Sequence, residues 1–419
     1  MNLKLTVTNT LCSRFPAGTL LTCETDEEPI DGGGFGELFR IRKLAGQERS
    51  NLCVKLFHMT QANGSETGAQ ATDRAIRRMR DLVDCFSHYE FTSDSLAAVP
   101  FLSGRVEMNG NSTAAIVMPY IEGGDLAKAS PKNLPFPSRI VAAYSLAKGV
   151  RTLHADSPIP LRHPHEMFVL GDIAPGNVII DRSVGNNYPL YLIDLDGSGF
   201  HYLGRNHPTA VNENKGDVED PACPSPSKEG DRYALAVLID KLFFSEHHAR
   251  SNDDDFRKKY CVPEAKLTWP GPRSEEDRQM ERLVGGQIME LLRHTFNEGR
   301  FTPSERKRAL EWEAALASAC QSIYQCPHCS ACGIDLDKNG KKNAVCGACA
   351  KSIALFDWKR VLNGGRPVVV SLSPLEIKNK LWLSRIIYGR AADVILWGLG
   401  SFGVTGLAMK LVEIIKHAH

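Results

Sequence analysis

GDIAPGNVIID (residues 171–181) is followed closely by YLIDLDG (residues 191–197), and each sets acidic residues at the ends of a short aliphatic run. Short apolar runs bounded by glycine, proline and aspartate predict strands that end in polar loops. The two stretches supply Asp172 and Asn177, five positions apart, and then Asp194 and Asp196. Phosphoryl transfer uses such a set: one carboxylate orients or deprotonates an attacking hydroxyl, and hard oxygen donors hold Mg²⁺ on the phosphates. Singly, Asp172 is an ordinary turn residue and Asn177 an ordinary cap. The ordered series carries the chemistry.

Upstream, DGGGFGELFRIR (residues 31–42) precedes CVKLF (residues 53–57). Glycines let backbone N–H groups approach phosphates closely, and Lys55 on the next strand would neutralise nucleotide charge. Alone, the glycine cluster is an ordinary turn signal. Up to about Phe57 the chain alternates short β-rich runs with turns, which predicts an N-terminal sheet. Between Ser65 and Phe86, the residues Ala71, Ile76, Met79, Val83 and Phe86 recur at helical spacing and predict an amphipathic helix. AAIVMPYI (residues 114–121) predicts a strand, Ser138 to about His154 a helix, and the polar, proline-bearing stretch from Asn206 to Glu229 a long ordered loop or lid.

Taken in order, these stations resemble the protein kinase family: glycine-rich loop, strand lysine, hinge, catalytic loop, metal aspartate and a buried aspartate on a later helix. VMPYIEGGDL (residues 117–126) resembles the hinge, with Met118 as gatekeeper, Tyr120 and Ile121 passing the adenine, and Asp125 at a ribose position. KEGDRYALAVLI (residues 228–239) resembles the helix whose Asp231 steadies the catalytic loop. The resemblance spans about Leu20 to Tyr324. It implies an α+β, two-lobed protein-kinase-like fold with ATP in the cleft: an N-lobe of antiparallel sheet plus helix over about 1–118, and a helical C-lobe over about 119–325.

By the same resemblance, Gly33, Gly34, Gly36 and Leu38 would line the nucleotide, and Lys55 would grip its α- and β-phosphates. Asp172 would be the catalytic base. Asn177 and Asp194 would hold Mg²⁺ or Mn²⁺. Asp196 stands where the family usually has glycine, as an extra ligand or a solvated loop residue. Gly171 replaces the usual catalytic-loop arginine, so control through a phosphorylated loop paired with that arginine is not expected. Ala174 replaces a lysine that touches the γ-phosphate in Ser/Thr kinases. The helix carboxylate expected to pair with Lys55 is Asp73 or Glu66, with Asp73 preferred. GDIAPGN and IDLDG are also similar to bacterial kinase-like proteins found beside phosphatases and tellurite-resistance-type proteins, some with zinc ribbons. That narrower likeness implies a signalling or stress-response kinase with a protein substrate and a partner phosphatase.

The 419 residues, 42% hydrophobic, exceed the usual size of one domain. With Lys plus Arg at 50 and Asp plus Glu at 49, the charge balance gives no electrostatic case for nucleic acid. MNLKLTVTNT has neither the basic n-region nor the apolar core of a secretion signal, so a cytoplasmic protein is expected.

Five of the twelve cysteines crowd into CPHCSACGIDLDKNGKKNAVCGACA (residues 326–350). Cys329 with Cys332 and Cys346 with Cys349 form two CxxC pairs suited to tetrahedral Zn²⁺, with Cys326 and His328 as spare candidates. A structural zinc-ribbon module over 326–355 is expected, then a hydrophobic, helical tail over 356–419. Within that tail, VILWGLGSFGVTGLAM (residues 394–409) is uncharged but shorter than the ~20 residues of a comfortable membrane span. It fits membrane contact or a glycine-rich buried helix. The function expected is a protein kinase acting on Ser or Thr; a small-molecule kinase and a nucleotide-binding scaffold are the rivals.

Overall fold

The computed structural model describes residues 1–354 other than 13, 34–35, 59–67, 87–95, 109, 130–133, 135, 155–167, 182–188, 203–204, 210–219, 221, 224, 245–277, 279, 282–283, 322, 327, 330–331, 335–342 and 346–348. Eight antiparallel strands come first: β1 (Asn2–Thr10), β2 (Leu20–Thr25), β3 (Asp31–Gly33), β4 (Gly36–Leu44), β5 (Gln47–Glu48), β6 (Leu52–Phe57), β7 (Leu102–Met108) and β8 (Asn111–Pro119). Six of them run in the order β2-β1-β7-β8-β6-β4, and β4 pairs back to β2, as in Cys23 opposite Leu44, so the expected sheet closes into a barrel. The wall between β2 and β7 is β1.

Period-two alternation sorts the barrel's side chains. Leu3, Leu5, Val7, Val54, Leu56, Ala115 and Val117 fill one apolar cluster of the barrel. The intervening Cys53, Ile116 and Met118 belong to the second cluster with Ile76, Met79 and Leu82 of α1 (Gly68–Phe86). Lys55, two residues from Cys53, lies at the same alternation phase and so faces out of the barrel.

Next come the short strands β9 (Gly123–Asp125), β10 (Val178–Asp181) and β11 (Leu190–Leu192), which form a three-stranded sheet with β10 in the centre. Glycine is required at 123, because a Cβ there would lie 1.9 Å from the Ile180 carbonyl oxygen of the paired strand. A hairpin of β12 (Phe200–Tyr202) with β13 (Arg205–His207) precedes the stretch predicted as loop and takes in only its first two residues, Asn206 and His207. The remaining mass is helical: α2 (Phe136–His154), α3 (Lys228–Phe244), Gly286–Phe296 and Ala309–Gln321. Central α2 and α3 are apolar on nearly every face, from Ile140 to Leu153 and from Tyr233 to Phe244, as interior helices must be.

One buried cation fastens this half together. Arg306 is solvent-inaccessible at its guanidinium, bonds both carboxylate oxygens of Asp220 at 2.5 and 2.7 Å, donates to the carbonyls of Gly299, Glu229 and Arg300, and lies over the Tyr233 ring. Two small hairpins close the described chain: β14 (Ile323–Gln325) with β15 (Cys332–Ile334), and β16 (Asn343–Val345) with β17 (Ser352–Ala354). The tail expected over 356–419, with its 394–409 stretch, lies outside the described residues. Among the described residues no helix is long and apolar enough to cross a membrane.

Removing one partner of a buried ion pair strands the other charge, so Arg306→Met is expected to cost about 3–5 kcal/mol. Removing Arg42 from its exposed pair with Asp26 should cost under ~1 kcal/mol. Urea midpoints of the two variants measure the contrast, and equal losses would remove Arg306 from this role.

Candidate active site

The barrel register sets the neighbours of Lys55. Gly33 pairs with Gly36 at the tip of the β3–β4 hairpin, and Asp31 with Leu38 further along it. Leu38 in turn lies opposite Lys55 on β6, and Lys55 opposite Ile116 on β8. The glycine tip, Leu38 and the lysine are therefore consecutive features of adjacent strands. Gly36 also needs to be glycine, since a Cβ there would sit 2.4 Å from the Leu56 carbonyl oxygen. Gly34 lies outside the described residues.

The other candidate residues lie in the segment around β10 and β11. Asn177 donates its amide to the Asp172 carboxylate at 2.9 Å and to the Asp172 carbonyl at 3.0 Å, closing a loop over the 3₁₀ turn Pro175–Asn177. The Ile193 amide donates to the Asn177 carbonyl at 3.0 Å, which sets Asp194 beside that loop. Asp194 itself adopts a left-handed conformation, φ 60° and ψ 39°. Aspartate visits that region at a cost, and such strain persists where the surroundings dictate it.

The two sets of residues meet through charge. Lys55 Nζ is hydrogen-bonded to Asp194 and lies 3.0 Å from each carboxylate oxygen of Asp196. Burial alone would lower the lysine, but Asp196 and Asp194 outweigh it, and Lys55 stays firmly protonated. Burial raises the Asp194 carboxyl as well, yet Lys55 holds it below the ordinary range. Asp196 is almost fully enclosed, and burial, opposed by Lys55 and reinforced by Asp194, pushes it up to about 6. Asp196 is thus neither a solvated loop residue nor a side chain pointing away from the cluster.

Among the described residues, helix α1 directs no carboxylate at Lys55. Asp73 is exposed and pairs with Arg105 at 2.8 Å in place of the expected lysine. Glu66 lies outside the described residues. Nothing in the sequence separated Asp73 from Asp196 in advance, because the choice depends on which face α1 turns to the barrel.

Behind Asp172, the Asp231 carboxylate on α3 receives the Leu170 amide at 2.7 Å and the Gly171 amide at 2.8 Å, and His154 Nε2 lies 2.9 Å away. Gly171 has φ +73°, and a Cβ there would lie 2.7 Å from Thr209 Cγ2, so glycine meets a steric demand at this position. Val169 and Gly199 exchange both main-chain hydrogen bonds at 2.8 Å and bind this loop to the chain after Asp194.

Met118 is buried opposite Cys53, and the Tyr120 amide donates to the Asn51 carbonyl. Ile121 packs with Leu96, Ala98 and Tyr191. Asp125, the expected ribose contact, is held by Lys128 through its amide at 2.7 Å and its ammonium at 2.8 Å.

A second centre lies in the terminal hairpins. The thiols of Cys326, Cys329 and Cys349 all fall within 4.8 Å of one another, with Cys326 and Cys349 sulfurs 3.5 Å apart. A single tetrahedral ion with ~2.3 Å bonds to sulfur would bridge such separations. The His328 amide donates to Cys326 Sγ at 3.4 Å, as a thiolate ligand requires. Cys326, a spare candidate by spacing, therefore lies within the cluster. Cys332 opens β15, and Cys346 lies outside the described residues. By contrast Cys23, Cys53 and Cys85 sit in apolar surroundings where burial pushes each thiol up to about 12, unsuited to metal.

No protein-family model matches the chain, and no curated protein matches it significantly.

Asp231→Ala would strand two inward-facing amides at once and is expected to cost about 2–5 kcal/mol. A urea midpoint within error of the native protein would show that Asp231 does not hold the Leu170–Gly171 turn.

Proposed function

We propose that the chain is an ATP-dependent phosphotransferase of the protein-kinase-like class, transferring the γ-phosphoryl group of Mg-ATP to a Ser or Thr hydroxyl of a protein. The observation that carries the proposal is the meeting of Lys55 with Asp194 and Asp196 beside the hydrogen-bonded Asp172–Asn177 pair. Phosphoryl transfer needs little covalent work from the protein; it needs positioning and compensation of charge.

In this reading Gly33, Gly34 and Gly36 present backbone amides to the phosphates, and the permanently charged Lys55 offsets their negative charge. Asp194 and Asn177 offer the oxygen-only donor set that suits Mg²⁺, which when bound neutralises charge on the phosphates. Asp172 faces the acceptor: it takes the hydroxyl proton as the acceptor oxygen bonds to the γ-phosphorus and the bond to the bridging oxygen breaks, releasing ADP. The Asn177 amide fixes that carboxylate, and Asp231 fixes the turn before it. Met118, Tyr120 and Ile121 line the passage for adenine. Asp125 reaches a ribose only by exchanging Lys128, so a nucleotide contact there is secondary.

Ala174 gives a specific reason to test a small-molecule acceptor too, since no cationic side chain stands three residues beyond Gly171. Incubation with Mg²⁺ and γ-labelled ATP is expected to label protein, and Asp172→Ala or Asp194→Asn to lower that labelling by at least ~10²-fold. ADP release without labelled protein would redirect the acceptor to a small molecule. Nucleotide binding with neither would make the chain a scaffold.

For the terminal hairpins we propose a structural Zn²⁺ held by Cys326, Cys329 and Cys349, with Cys346 as the fourth thiolate from its CxxC pairing with Cys349. Cys326→Ser is expected to lose most of the bound zinc and Cys332→Ser to keep it, as measured by elemental mass spectrometry of the purified chain. The reverse result would restore the Cys329, Cys332, Cys346 and Cys349 set.

A further inference from the structure

We propose that Asp196 is the positioning residue for Lys55, and that Arg78 of α1 holds it there by its backbone. The proposal rests on the phosphotransferase reading for its purpose, though the pairing itself stands on geometry alone.

All three carboxylates of the described α1 are committed elsewhere. Asp73 pairs with Arg105. Asp81 is buried and receives Arg80, Arg205 and His207. Asp84 accepts the Tyr202 hydroxyl. The helix therefore has no described acid directed at Lys55. It contributes a cation instead.

The Arg78 guanidinium donates to the main-chain carbonyls of Asp196 at 3.2 Å, Ser198 at 2.6 Å and Pro208 at 2.8 Å, and lies over the Phe200 ring at 5.4 Å. A planar fork with five donors suits several carbonyls at once, where a lysine would satisfy fewer. These bonds pin the backbone on both sides of Gly197. The Asp196 side chain, only 6% exposed, is thereby directed at Lys55, with both oxygens engaged.

The division of labour has a chemical consequence. Asp194 is 37% exposed and can exchange the lysine for a metal ion, whereas enclosed Asp196 cannot leave it. Lys55 therefore keeps one carboxylate partner, and its direction, when Asp194 turns to the metal. The linkage between α1 and the lysine runs through the chain after Asp194, so moving α1 displaces Asp196 and, through it, Lys55.

Double-mutant cycles in urea test the pairing without any assay of turnover. The midpoint loss of Lys55→Met with Asp196→Asn is expected to be smaller than the two single losses added, while Lys55→Met with Asp73→Asn should be additive. Additivity with Asp196, or coupling with Asp73, would overturn the proposal. Titration calorimetry with Mg-ATP tests the purpose: Asp196→Asn should weaken binding about tenfold, the size of one charge-assisted contact, and Asp73→Asn should leave it unchanged. Arg78→Lys keeps the charge and loses the fork, and should also weaken ATP binding; native affinity in that variant would overturn the role of Arg78. Coupling of Lys55 to Asp196 in a chain with no affinity for ATP would sustain the pairing and sink the phosphotransferase reading instead.

Discussion

A cation on the wall of an apolar barrel must find carboxylates, and Lys55 finds two on a separate part of the chain. That ion cluster joins the barrel to the segment after β11. Around it, each neighbour answers a constraint set by the cluster. Asp194 accepts a left-handed backbone, Asp196 accepts burial, and Arg78 supplies the donors that keep their loop in place. The loop bearing Asp172 is held from behind by Asp231, and the Val169–Gly199 exchange and the Asn177–Ile193 bond tie it to the segment after β11.

Much of this was legible in the sequence for a physical reason. The short apolar runs CVKLF and AAIVMP forecast strands, and in the paired sheet Lys55 lies opposite Leu38. Spacing forecasts α1, because its buried residues Ala71, Ile76, Met79, Val83 and Phe86 must share a face. The tight places taken by Gly171 and Gly36 are also consistent with residues that lack a Cβ.

What local pattern could not carry were relations between distant segments. Closure of the sheet depends on β1 meeting β7, nearly a hundred residues away, and a strand's own residues do not name its partner. The partner of Lys55 depends on the rotation of α1, which the charges along that helix leave open. Among the cysteines, overlapping CxxC spacings at 326, 329 and 332 are equivalent as text; only the fold of the first hairpin brings Cys326 against Cys349. Charge patterning likewise could not show that Asp220 and Arg306 would meet in the interior.

Closure of the barrel bears on how the chain comes off the ribosome. Because β1 lies between β2 and β7, the N-terminal strand must wait for residues 102–108 before its second edge is covered. Until then the early strands present open edges, the kind of surface that recruits other chains into aggregates. Once β7 and β8 arrive, the ring has no free rim along those six strands, and strand addition by another protein is closed off there. Synthesis therefore passes through a vulnerable interval that ends only when about a quarter of the chain has emerged, and any truncation falling before β8 would prolong it indefinitely.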